Sequence, residues 1–184
     1  MTDPDVIVRS AQPGELAEVG ELRVSAYQAG GFLAAKSDYE PVLRGLGTAG
    51  DGTVLVAVPR GDESRILGTV MLQPRPHAGE IAAGQHEAEI RALAVAPDGQ
   101  GRGTGNALLR AVIDLAAQRG VAHLVLLTQH GMRVAQHMYE RAGFRRLPER
   151  DWSPAPGINL LAYGLPLRSD LRATRTFVPP ADPD

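Results

Sequence analysis

The sequence predicts an α/β domain in which one mixed central sheet carries helices on both faces. Two observations carry this reading. Short β-branched runs alternate with runs of helical apolar period, and from residue 87 onward the order is strand, helix, strand, helix, strand. No internal repeat and no second composition regime divides the 184 residues, a length suited to one substantial core. The domain is expected to span residues 6–167, between a flexible stretch at 1–5 and a proline-containing tail at 168–184.

The elements follow in chain order. Residues 6–9 are a short β-branched run, and the turn at Pro13-Gly14 leads into an apolar period at Leu16, Val19, Leu22, Val24 and Tyr27. That reads as strand, then helix. After Gly30-Gly31, residues 37–43 read as a capped short helix that ends near Gly45 or Gly47. Residues 53–58 and 66–72 are strands, and the turn residues at 59–62 suit an antiparallel hairpin. Residues 87–95 form a strand that stops at Pro97, with Glu89, Arg91, Leu93 and Val95 on one nominal face unless a bulge intervenes. Leu108, Leu109, Val112, Ile113, Leu115 and Ala116 recur at helical spacing between Gly103 and Arg119, and Gly120 supplies the stop. Residues 121–127 read as a continuous apolar strand, His123 apart, of the kind buried on both faces. Residues 132–141 give a second amphipathic helix, Gly143-Phe144 turns into another strand, and residues 158–167 add a last strand after a proline-containing loop.

Composition narrows the function classes. A net charge of -2 gives no global electrostatic footprint for nucleic acid. The absence of cysteine excludes disulfides and thiolate chemistry and fits a reducing compartment. Met1-Thr2-Asp3-Pro4-Asp5 has neither the basic start nor the apolar stretch of a secretory signal, and no later run approaches membrane-spanning length, so a cytoplasmic protein without a membrane partner is expected. Arginine supplies nearly all the basic residues, Lys36 being the only lysine, a weak pointer to a GC-rich bacterial genome. The histidines at 77, 86, 123, 130 and 137 show no metal-ligand spacing, so no metal is expected.

The chemistry concentrates in the stretch Val95-Ala96-Pro97-Asp98-Gly99-Gln100-Gly101-Arg102-Gly103-Thr104-Gly105. A strand that ends in a glycine-rich turn and opens into a helix presents unpaired backbone N–H groups at the positive end of the helix dipole, where phosphates bind. Glycine lets the phosphate approach those amides and tolerates positive φ, and Arg102 adds a charge. The dinucleotide fingerprint G-x-G-x-x-G fails in every register, and no Lys-Ser or Lys-Thr pair completes a Walker loop.

What remains resembles the acetyl-CoA signature of the GNAT superfamily, [Gln/Arg]-x-x-Gly-x-[Gly/Ala], filled here by Gln100, Gly103 and Gly105. Leu93-Ala94-Val95-Ala96-Pro97 before it is similar to the family's fourth strand, and Ala135, Met138, Tyr139, Gly143 and Phe144 after it are similar to the family's downstream motif. The resemblance covers residues 6–167 and implies a mostly antiparallel mixed sheet of about six to seven strands flanked by about four helices. It implies an acetyl-CoA-dependent N-acetyltransferase with no metal, acting on a primary amine of a small molecule or peptide through a ternary complex. A non-catalytic acyl-CoA-binding module acting as sensor or interaction domain is the alternative, and a homodimer is allowed.

Residue roles follow from the resemblance. Leu93, Ala94 and Val95 would pair with the pantetheine arm, and Gln100, Gly101, Arg102, Gly103, Thr104 and Gly105 would hold the pyrophosphate. Ala135 and Met132 would face the cofactor, although the family often carries asparagine where this chain has Met132. An amine of pKa about 10.4 must lose a proton before it attacks a thioester. Glu89 is the expected base, directly or through water, with Glu87 second. Tyr139 is the expected acid for the leaving thiolate, and a backbone N–H of the fourth strand, at Val95, the expected oxyanion donor. Tyr27, Tyr39 and Trp152 are candidate acceptor-site residues, in segments 27–40 and 148–157 where Asp38, Glu40 and Asp151 would allow a cationic acceptor.

Overall fold

The computed structural model describes residues 5–34, 37–75 and 81–167. In chain order these form β1 (Val6–Ser10), α1 (Leu16–Ala29), α2 (Glu40–Gly45), β2 (Thr53–Pro59), β3 (Gly68–Pro74) and β4 (Glu87–Val95). There follow α3 (Thr104–Gln118), β5 (His123–Gln129), α4 (Arg133–Arg141), β6 (Arg145–Arg146), β7 (Trp152–Ala155) and β8 (Ile158–Pro166). The sheet has eight strands in the order β1-β2-β3-β4-β5-β8-β6, with β7 also paired to β8. Only β4 and β5 run parallel; the other pairs are antiparallel.

The mixed sheet is the one expected, with more strands than six or seven. β6 has two residues, and β7 falls where the sequence reads as loop. All four β7 residues are exposed, so no buried alternation marks them, and β7 pairs with β8 only at Trp152↔Leu160 and Ala155↔Ile158.

Each face of the sheet buries its own cluster. On one, Leu108, Leu109, Val112 and Ala116 of α3 and Tyr139 of α4 pack on Leu55, Ala57, Val70, Leu72, Ala88, Ile90, Leu124 and Leu126. These α3 positions recur at i, i+1, i+4 and i+8, a single helical stripe. On the other, Val19 and Val24 of α1 and Leu43 of α2 pack on Val54, Val56, Val58 and Met71. The two helices of this layer approach closely at Gly20, where an added Cβ would lie 2.5 Å from the Arg44 carbonyl oxygen. The Arg44 guanidinium, bonded to Glu21 at 2.5 Å and Glu40 at 2.8 Å, bridges them on the outside.

Candidate active site

The site forms where β4 and β5 part. Their parallel ladder runs only from Glu87↔His123 to Ile90↔Leu126, although β4 continues to Val95 and β5 to Gln129. Beyond that point β5 stays paired to β8, while β4 stays paired to β3, which leaves the facing edges of residues 91–95 and 127–129 without a strand between them. A bulge in β4 accompanies the parting. Met71 pairs with Arg91 and Thr69 with Ala94, so Ala92 and Leu93 together oppose Val70, and Ala92 takes φ +50°.

The extra residue overturns the nominal face read from alternation. Ala88 and Ile90, before the bulge, and Leu93 and Val95, after it, all pack with the α3 layer. Ala92 packs with the α1 layer. Glu89 and Arg91 therefore do not share a face with Leu93 and Val95: a bulge shifts a period of two by one.

β4 leads directly into the phosphate-type loop. Gly101 and Gly103 have φ +75° and +78°, and a Cβ built on either meets nothing within 4 Å. Among the described residues, the N–H groups of Gly101 to Gly105 donate to no backbone carbonyl, and α3 has no side-chain N-cap. Open space therefore faces a row of unpaired amides at a helix start. Gln100, Gly101, Arg102 and Gly103 are exposed, whereas Thr104 is buried and its hydroxyl donates to the Gly99 carbonyl at 2.8 Å. An Arg65–Asp98 ion pair braces the outer side of the turn. Gly105 faces α4, an added Cβ there lying 3.3 Å from Met138 Sδ.

α4, whose Met138 faces Gly105, also carries Tyr139. The residue is 6% exposed and sits in an aromatic group, with ring centroids 5.9 Å from Phe144 and 6.2 Å from Tyr163. Burial pushes its phenol above the ordinary tyrosine value, so the proton stays on at physiological pH. Among the described residues no protein group bonds that hydroxyl. Met132 caps α4, and its sulfur accepts from the Thr128 hydroxyl at 3.5 Å; Ala135 packs in the core beneath. Gln136, which the sequence reading passed over, is buried and donates to the Gln129 and His130 carbonyls at 3.0 and 2.9 Å, locking α4 to the end of β5. Gln129 in turn donates to the Phe32 carbonyl at 2.8 Å, which ties the segment after α1 across the same opening.

The acceptor-side candidates are brought together in part. Tyr27, half-buried on α1, has its phenol raised by burial and then by the neighbouring Tyr139 and Tyr39 phenols, against the pull of Arg23 and Arg91. Tyr39 is 38% exposed. Trp152, on β7, lines an open pocket of about 220 Å³ with Ile81, Ala83, Leu127, Arg150 and Asp151. Glu89 is 2% exposed, and its Oε1 lies 3.8 Å from Arg91 Nε; Arg91 also donates to Gln73 at 3.1 Å.

Glu87 has a different post. Its carboxylate accepts from the Ala83 and Gly84 amides at 2.7 and 3.0 Å, from Arg150 at 3.0 Å, and pairs with His123 Nδ1 at 2.8 Å. Burial would raise its pKa, but the Gly84, His123, Ala83 and Arg150 contacts outweigh it and hold the group at about 2. So firmly ionised a carboxylate is a poor base and a good clasp for the loop before β4. Because its value is about 4.3 in an unfolded chain, its stabilisation is complete above that pH and is lost as the pH falls toward 2. The Arg9 hydrogen bond holds Glu15 at about 2 as well. In urea unfolding across pH 7 to 2, the wild type should lose stability below pH about 4.5, while Glu87→Gln starts less stable and loses less. Parallel pH curves for the two proteins would remove Glu87 from this role.

Of the histidines, His77 lies outside the described residues, and His86, His130 and His137 are exposed. Among the described residues no group of His, Asp and Glu is arranged to hold a metal, and no helix is long and apolar enough to cross a membrane.

The pattern of a known family, described as the acetyltransferase (GNAT) family, matches residues 17–144. The chain belongs to the GNAT acetyltransferase family. The mycothiol acetyltransferase of Cellulomonas flavigena is 34% identical over 122 residues, which cover 65% of this chain and 34% of that protein. The chain thus spans about a third of the length of the curated relatives it first matches. Among solved structures, a GNAT-family acetyltransferase from Staphylococcus aureus superposes with TM-score 0.69 at 18% identity, covering 89% of this chain and 99% of that one. A Salmonella typhimurium protein solved with its cofactor acetyl-CoA superposes with TM-score 0.63 at 18% identity, covering 97% and 98%. At such identities the structural likeness is one of fold. This GNAT domain has the family's sheet and four α-helices.

Proposed function

We propose that this GNAT domain is an N-acetyltransferase that passes the acetyl group of acetyl-CoA directly to a primary amine of a small molecule or peptide. The observation that carries the reading is the opening between β4 and β5, which runs on from β4 into the unpaired amides of Gly101–Gly105. Pantetheine enters that gap as an added strand against residues 93–95, with the pyrophosphate on the amide row. Glu89, with Arg91 beside it, takes the amine proton directly or through a water. The amine attacks the thioester carbonyl, and the oxyanion is met by a backbone N–H of β4, at Val95. The C–S bond then breaks and the leaving sulfur takes the Tyr139 phenolic proton. Met132 and Ala135 flank the arm from α4, while Tyr27, Tyr39 and Trp152 border the acceptor. No covalent enzyme intermediate arises, so both substrates are bound together.

Thermal melting with acetyl-CoA, CoA and ATP, followed by thiol release from acetyl-CoA against an amine panel, tests this. A shift with the CoA ligands but not ATP, together with amine-dependent thiol release, is expected. No shift with either CoA ligand sinks the reading, and a shift with release from no amine favours a binding-only module.

A further inference from the structure

Arg23 lies on α1 one helical turn before Tyr27 and on the same face, and it is 0% exposed. Its Nη1 donates to the Leu46 carbonyl at 2.8 Å and the Leu43 carbonyl at 3.4 Å, which fastens the end of α2 to α1. Its Nε and Nη2, both buried, have no partner. Those two atoms form one edge of the guanidinium fork, the edge whose parallel N–H bonds match the two oxygens of a carboxylate. A buried cation with an unanswered fork is costly unless something completes it.

Of the protein's own carboxylates, Asp51 is near enough to act on Arg23, yet neither of its oxygens bonds the guanidinium. Asp51 Oδ2 accepts from Gln73 Nε2 at 2.6 Å, and its buried Oδ1, itself unpartnered, does not close onto Arg23. Glu89 lies beside Arg91, Glu40 is bonded to Arg44, and Asp151 is held by both ends of Arg146 at 2.8 Å. The acidic residues that would have suited a cationic acceptor are thus largely neutralised, while a second guanidinium, Arg91, stands in the same neighbourhood as Arg23 with the Tyr27 and Tyr39 phenols.

We propose that the acetyl acceptor is an amine that also carries a carboxylate, and that the Nε–Nη2 edge of Arg23 binds that carboxylate. This rests on the acetyltransferase reading above and names its substrate class. Tyr27 links the two ends of the site, since it stands one turn after Arg23 on α1 and packs on the same core as Ala92 of the β4 bulge; the amine lies toward β4 and Glu89, and the carboxylate about one helical turn away, roughly 5 Å along α1. Shielding from water is what makes one charge-assisted pair discriminate strongly there.

The test is thiol release by the full chain with acetyl-CoA and matched acceptor pairs: glycine, β-alanine, 4-aminobutyrate and Gly-Gly, each against its carboxamide. The best acid should exceed its amide in kcat/KM by about tenfold or more, chiefly through KM. Arg23→Lys keeps a buried cation but lacks the fork edge, and Arg23→Gln lacks the charge; both should bring the acid down to within about twofold of its amide. A wild-type acid-to-amide ratio within about twofold overturns the proposal, and so does a ratio that survives in folded Arg23→Gln. If the variants do not fold, the wild-type ratio still decides. Release of thiol with no amine, while acetyl-CoA binds, overturns the transfer reading beneath it instead.

Discussion

Tyr139→Phe is expected to lower kcat by about 10²–10⁴-fold, the usual contribution of a positioned general acid, while KM for acetyl-CoA changes little. The substitution is clean because the ring, which carries the packing on Phe144 and Tyr163, is kept. Only a hydroxyl without a protein hydrogen-bond partner among the described residues is lost, so the melting temperature should stay close to that of the wild type. Burial holds the phenol above its ordinary value of about 10, which adds a second expectation. Ionisation of Tyr139 should cause no fall in wild-type kcat below pH about 10. A kcat unchanged in Tyr139→Phe would leave the tyrosine as a packing residue whose hydroxyl merely reaches the opening.

Gly103→Val should act on the other substrate parameter. A valine at φ +78° strains the backbone by about 1–2 kcal/mol, but its Cβ meets nothing within 4 Å, so the domain should fold with modestly reduced stability. The side chain then stands in the space before the amide row of α3. KM for acetyl-CoA should rise about ten- to a hundredfold, or about 1.4–2.8 kcal/mol of binding, with a smaller change in kcat at saturation. CoA titration by calorimetry gives the same comparison without turnover. An unchanged affinity would mean that the phosphates do not sit on these amides.

Much of this was legible in the sequence, for identifiable reasons. The α3 stripe from Leu108 to Ala116 and the β-branched run of β2 are local patterns of one period each, and they came through with bounds shifted by a residue or two. The glycine-rich turn was legible because positive φ at Gly101 and Gly103 favours glycine, and three glycines stand at alternate positions there. The bulge at Ala92 was not, since alanine carries no preference for φ +50° and the shift arises from pairing with β3. Nor was the burial of Arg23, because an arginine at a core-facing helical position is indistinguishable in sequence from one that curls back to solvent. Glu87 ranked second to Glu89 on the resemblance alone; what the sequence could not show is the arrival of Arg150 and His123 from distant chain at Glu87.

The short ladder between β4 and β5 also divides the molecule as a mechanical object. Everything from β1 to β4 with α1 and α2 is one continuous stretch of chain, and β5 to β8 with α4 is the next, joined across the sheet by four facing residue pairs and by the passage of α3. An acyl carrier that bonds both lips of the seam would turn two leaves into a single plate. Amide exchange in β5 and β8 should then slow together with that in β4 once the seam is filled, so that the carrier acts as a structural rivet as well as a reagent.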